Sequence, residues 1–331
     1  MRFLLYPCLF AAVFFFSSFA GAASTRFSRS HRPPWAGPVA FSEVIHVGGA
    51  AIRIDFRPGN FDLPRRDIVK WVDTAAQAVS LYYGGFPVPR ARVLIVPGTD
   101  ERGVLSGTTW GGVDGYPAFT RMRLGQHTTQ QELANDWTMT HEFVHTAFPG
   151  QTSNHHWIEE GLATYVEPIA RAQLGTQSTK TIWGEMLRGM PQGEPALQGD
   201  GLDNTHTWAS TYWGGALFCL MADVAIREKT HDRRGLQDAL RAIVSAGGTI
   251  NRDWPLTKAF AVGDRATGTS VLIDLYGKMG KGPDPVALNA LWKQLGVSFR
   301  NGEVVFNSHA PLARIRESIT TPGLPGTSSR H

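Results

Sequence analysis

The chain has almost no cysteine: 2 residues in 331. One of them, Cys8, falls in an N-terminal apolar segment, and losing that segment leaves Cys219 alone, so no internal disulfide can form. Cys219 lies in the apolar run Ala216-Leu217-Phe218-Cys219-Leu220-Met221, which marks it as a core thiol rather than a nucleophile. Runs of one charge are missing as well. The 32 Lys and Arg residues never cluster beyond two in a row, so a net charge of +4 builds no basic stripe and nucleic acid is not an expected partner. There is no acidic or Gln/Asn-rich tract to signal disorder, and no internal repeat. The longest apolar stretch, Phe3–Phe16, is interrupted by Pro7 and falls short of a bilayer. With Arg2 before it and Ala20-Gly21-Ala22 after it, this run reads as a secretory signal over 1–22. No cysteine stands beside the small residues to carry a lipid. Cleavage after Ala22 would lower the net charge to +3 by removing Arg2. An exported protein, periplasmic or extracellular and without stable membrane insertion, is the expectation.

What remains is an ordinary globular composition, with 42% hydrophobic residues, 18% charged residues and 36 glycines. The length exceeds the usual single-domain size, which points to one large domain or two packed lobes. Polar, proline-bearing residues over 23–40 suit a leader. Residues 44–56 alternate as strands do, and Ile68, Trp71, Val72, Ala75, Ala78 and Val79 recur at helical spacing until Gly84-Gly85. Val93–Val96 reads as a short buried strand, and 104–124 as paired strands around turns at Gly111-Gly112 and Asp114-Gly115. Helical patterns then dominate over 129–147, 157–170, 207–229, 234–246, 268–279 and 285–295. This order predicts an α+β domain over 41–316, with a mixed-sheet lobe at 41–127 and a mostly helical lobe at 128–316. A flexible tail is expected at 317–331.

Within the helical part stands HEFVH, residues 141–145. On a helix, positions i and i+4 lie one above the other, so His141 and His145 can offer two imidazole nitrogens to one cation. Glu142 lies on the adjacent edge. Such a pair suits zinc, which polarises a carbonyl and acidifies water while a neighbouring carboxylate takes the proton. A third ligand is needed. A glycine three residues past His145 with a histidine three further on would supply it, but those positions hold Phe148 and Gln151. The remaining source is the following helix, Trp157-Ile158-Glu159-Glu160-Gly161-Leu162-Ala163-Thr164-Tyr165. Its apolar face leaves Glu159 near the edge and Glu160 turned away, so periodicity alone favours Glu159.

W-I-E-E-G-L-A-T-Y after HEFVH resembles the W-x-x-E-G-x-A-x-Y segment of the gluzincin aminopeptidases, in which the glutamate before glycine is the third zinc ligand. The resemblance therefore implies Glu160. Only 14 residues lie between His145 and Glu160, a shorter connection than in the membrane alanyl-aminopeptidases. Downstream, Tyr212-Trp213-Gly214-Gly215-Ala216-Leu217 running into Asp223 and Ile226-Arg227-Glu228-Lys229-Thr230 resembles the glycyl aminopeptidase family, as do Gly280–Pro285 and Leu295-Gly296-Val297. Over roughly residues 104–300, this resemblance implies a thermolysin-like zinc peptidase domain. Tyr212 would then stabilise an oxyanion, since a phenol donates a hydrogen bond to developing charge without being charged itself; its alternative is a tyrosine packed on Trp208 and Trp213. Related aminopeptidases hold the substrate amine with a glutamate on a glycine-rich edge strand. Here Gly111, Gly112 and Asp114 occupy that region, with Asp114 the only acid.

His206 is a further candidate for oxyanion contact, and His155 and His156 for the cleft. Glu159 or Asp136 could accept a hydrogen bond from a ligand imidazole. The expectation is thus a secreted zinc metallopeptidase acting on a peptide or protein, aminopeptidase or endopeptidase. Its ligands would be His141, His145 and Glu160, with Glu142 as base. The alternative is a noncatalytic cell-envelope binding protein that keeps the peptidase fold.

Overall fold

A computed structural model describes residues 33, 35–205 and 207–322. The expected signal, the first part of the leader and His206 lie outside the described residues. The chain begins with β1 (Phe41–Val47) and β2 (Ala50–Phe56), then α1 (Arg65–Tyr83), β3 (Arg90–Gly98), β4 (Val104–Val113) and β5 (Tyr116–Gly125). These strands form one sheet in the order β1-β2-β3-β5-β4. The hairpins β1–β2 and β4–β5 are antiparallel, while β2–β3 and β3–β5 are parallel, with α1 as the crossover between β2 and β3. The sheet is mixed, as expected. One face, through Ile52, Ile54, Val93, Ile95, Ala118 and Met122, joins the main core together with the buried side of α1. The opposite face carries Leu94, Val113 and Phe119, against which Trp35 and Trp110 pack. Trp35 belongs to the expected leader, and Arg57 donates to the carbonyls of Ala36 and Pro38. The last leader residues are therefore fastened to the sheet.

Helices follow: α2 (Gln130–Asn135), α3 (Thr138–His145), α4 (His156–Leu174), α5 (Thr179–Gly189), α6 (Glu194–Gln198), α7 (Trp208–Thr230), α8 (Leu236–Ser245), α9 (Leu256–Thr267), α10 (Val271–Met279) and α11 (Leu288–Leu295). A short antiparallel hairpin, β6 (Val297–Arg300) and β7 (Glu303–Phe306), and then α12 (Ala313–Thr320) complete the described residues. The helix expected over 129–147 is broken. Asp136 is extended, with ψ 137°, and its carboxylate accepts the Met139 N–H at 3.0 Å and the Trp71 indole N–H at 3.2 Å. An aspartate competing for backbone donors ends one helix and starts the next. Residues 179–189, 256–267, 297–306 and 313–320 form elements that the sequence pattern leaves unassigned. In α5, a Cβ at Gly184 would stand 2.8 Å from Val304, so the residue serves close packing. The expected tail begins too early: 317–320 belong to α12, where Ile319 and Thr320 are buried.

The helical lobe is built on the crossing of α4 and α7, and the contact is made by glycine. A Cβ at Gly161 would lie 2.3 Å from the Gly215 backbone, and one at Gly215 would lie 2.0 Å from the Trp157 carbonyl oxygen. Among the described residues α7 is the one helix long and apolar enough to cross a membrane; here it is the buried centre of the lobe. Asp223 on α7 fastens its neighbours. It accepts the Tyr165 hydroxyl from α4 at 3.0 Å, Arg227 at 2.8 Å and the Leu236 N–H of α8 at 2.9 Å.

Candidate metal centre and active site

α3 lies against α1 and β4, with Phe143 in the core edge-on to Phe86 at 5.2 Å. That anchoring turns the opposite side of α3 toward α4 and the start of α7. There His141 Nε2 lies 3.2 Å from Glu160 Oε2, and His145 Nε2 lies 3.7 Å from the same oxygen. The two imidazole rings meet at 4.9 Å and 84°. One donor atom from each of His141, His145 and Glu160 falls within 4.8 Å of the others, and no other such His, Cys, Asp or Glu group occurs among the described residues. Burial alone would raise the Glu160 pKa, but the charges of His145 and His141 and the His141 hydrogen bond outweigh it and hold the carboxyl at about 2. An ionised carboxylate beside two imidazoles is a donor set for a cation. Of the two acids, it is Glu160 that converges on the histidines. Glu159 instead accepts the Gln151 backbone N–H at 3.1 Å and faces His156 Nδ1 at 3.2 Å.

Glu142 is buried beside this group and points to the sheet. Thr109 on β4 donates to its Oε2 at 2.7 Å. Burial raises the Glu142 pKa more than the His145 charge and the Thr109 bond lower it. Space for the carboxylate comes from Gly107, where a Cβ would stand 2.6 Å from Glu142 Cγ. Gly107 was not among the expected site residues, although glycine inside a strand signals close approach of another group. Tyr212 opens α7 one turn before Gly215. Its ring stacks on His141 at 5.9 Å and 5°, and on Trp208 at 4.8 Å. Of the two expected tryptophan contacts the one with Trp208 is present, and the stack on His141 sets Tyr212 beside the histidine pair. Burial and the charge of Glu160 keep the phenol protonated. Trp137 meets His141 edge-on at 5.2 Å, and both Trp137 and Trp208 are exposed.

Asp114, the expected contact for a substrate amine, has a partner of its own. It sits in the β4–β5 turn, and its carboxylate pairs with Arg92, which also holds Asp55 and lies over the ring of Phe119 on the outer sheet face. Five residues separate it from Thr109, roughly 16 Å along a strand, and the Arg92 pair claims its charge. Gly111 allows the backbone at Ile250 to approach, since a Cβ would stand 2.1 Å from that carbonyl oxygen; Gly112, at φ +65°, faces open space. Neither Asp136 nor Glu159 contacts a ligand imidazole, and His141 Nδ1 is buried with no partner among the described residues. His155 binds the Tyr276 hydroxyl at 3.0 Å. His156, by contrast, reaches Glu160 Oε1 at 3.3 Å.

No protein-family model matches the chain, and no curated protein matches it by sequence. Among solved structures, the aminopeptidase N family protein from Idiomarina loihiensis aligns with a TM-score of 0.53 at 14% identity, over 78% of this chain and 49% of that one. An M1 zinc metallopeptidase from Deinococcus radiodurans, in a mutant bound to a Tyr-Ser-Ala substrate, aligns at 0.47 and 16% identity over 75% and 54%. The chain thus spans about half the length of these structures. The first likeness fixes the class of fold as α+β, a mixed sheet followed by a helical lobe, shared with part of an aminopeptidase N family protein.

Proposed function

We propose that the protein is an exported, zinc-dependent peptidase. The observation that carries this reading is the convergence of His141, His145 and Glu160 with a fourth group, Glu142, held apart from them by Thr109. Tetrahedral zinc with bonds near 2.0–2.2 Å keeps its ligands about 3.3 Å apart. The separations of 3.2 and 3.7 Å fit that requirement. When bound, zinc supplies Lewis-acid chemistry, polarising a carbonyl and acidifying water.

The residues of the chain supply the rest. Thr109 occupies Glu142 Oε2, which leaves Oε1 to take the proton of the attacking water. The raised pKa of Glu142 makes it a stronger base than a solvated carboxylate. Tyr212, kept protonated, donates a hydrogen bond to the developing oxyanion. β4 is an edge of the sheet, and its free backbone groups suit an extended peptide. With Asp114 engaged by Arg92, cleavage that needs no free N-terminus is the version we favour over aminopeptidase action.

Metal content and hydrolysis of a peptide library with free and blocked N-termini test this, with and without chelator. Glu142→Gln should keep zinc and lower turnover by roughly 10²–10⁴-fold. A folded protein that takes up no zinc after loading overturns the reading. Failure to cleave any blocked peptide overturns the preference over aminopeptidase action.

A further inference from the structure

His156 opens α4 four residues before Glu160, so one helical turn brings the two side chains together. Its Nε2 lies 3.3 Å from Glu160 Oε1 and its Nδ1 lies 3.2 Å from Glu159 Oε2. Glu159 is anchored in turn, because its Oε1 accepts the Gln151 backbone N–H at 3.1 Å. A chain of contacts therefore runs from the α3–α4 connection through Glu159 and His156 to one oxygen of Glu160. The other oxygen, Oε2, faces His141 and His145.

We propose that His156, backed by Glu159, is a positioning residue that fixes the Glu160 carboxylate so that Oε2 alone is offered to the metal. The inference rests on the zinc reading above and goes beyond it. A glutamate has three rotatable bonds and can present either oxygen or both, and ordering it on metal binding costs rotamer entropy. An imidazole nitrogen held against Oε1 sets the orientation in advance. Partners of this kind orient ligands at metal sites generally, and their loss weakens metal binding. A helix pair at an exposed turn would contribute little and leave metal affinity untouched. Two features argue against that simpler role. Glu160 is buried, and the half-exposed His156 faces two carboxylates at once, with Nδ1 hydrogen-bonded to Glu159 and Nε2 in ion-pair contact with Glu160.

The test uses the isolated full chain and the variants His156→Ala, His156→Gln and Glu159→Gln. Zinc affinity is read by competition with a chromophoric chelator, the melting temperature is taken without metal, and the visible spectrum is recorded with cobalt(II) in place of zinc. His156→Ala should weaken zinc binding about 10–100-fold, with the metal-free melting temperature unchanged and the cobalt spectrum altered. Glu159→Gln should weaken it less. His156→Gln, whose amide N–H can reach Oε1, should recover part of the loss. Zinc affinities of His156→Ala and Glu159→Gln equal to wild type overturn the proposal, as does a fall in metal-free stability that accounts for the lost affinity. Wild-type protein that binds no zinc overturns the zinc reading, and this inference with it.

Discussion

Glu142 and Glu160 are the same residue type in one site, yet their surroundings drive them in opposite directions. Two imidazoles hold Glu160 ionised down to about pH 2, while burial against β4 raises Glu142. Opposite shifts in neighbouring carboxyls separate a ligand from a base. Gly107 keeps Glu142 in place, so Gly107→Ala should push the carboxylate off its position without touching a ligand. We expect kcat/KM to fall about 10–100-fold, the scale of a misplaced catalytic group, with zinc stoichiometry unchanged; wild-type kinetics in this variant would refute the role. At this scale the sequence was partly legible. Spacing alone paired His141 with His145, whereas periodicity favoured Glu159 over Glu160 because it ranks residues by burial and cannot see which acid meets the histidines. The ion pair of Asp114 was not legible, because its partner, Arg92, lies 22 residues away in sequence on β3.

Among the elements, the α4–α7 crossing decides whether Glu160 and Tyr212 share a site. Gly161 follows the ligand directly, and Gly215 follows Tyr212 by three residues; both are in backbone contact across the crossing. Gly215→Ala forces the helices apart, and we expect a loss of roughly 1–3 kcal/mol together with weaker zinc binding. Urea unfolding and zinc titration would measure both. In the sheet, Asp55 is buried between Ser42, Arg53 and Arg92. Burial would raise its pKa, but those three bonds together bring it below the ordinary value of 3.8. The stabilisation is therefore complete above 3.8 and lost as pH falls through the lower folded value. Acid titration of stability should show this decline, and Asp55→Asn should be less stable near neutrality by about 3–5 kcal/mol with the acid decline reduced.

On the scale of the molecule, the site forms where the sheet meets the helices. Thr109 and Gly107 come from the sheet, and the ligands and Tyr212 come from α3, α4 and α7. The C-terminal helix closes the helical side: Arg316 donates to the carbonyls of Leu295 and Gly296, and Gln173 of α4 donates to that of Ile319. A chain ending at Arg316 should be less stable than one ending at Pro322 by about 2 kcal/mol or more, the cost of removing a buried side chain and its bonds. Paired urea melts would decide it. The sequence alone determined the histidine pair, the strand-then-helix order and the positions of most elements, because turns and hydrophobic periods are local properties. Periodicity favoured Glu159 where the resemblance implied Glu160, and the tertiary structure turns Glu160 to the histidines, seats Glu142 against Thr109 and Gly107, and brings His156 to Glu160. Each of those depends on how packed elements face one another, which sequence spacing within a single element does not encode.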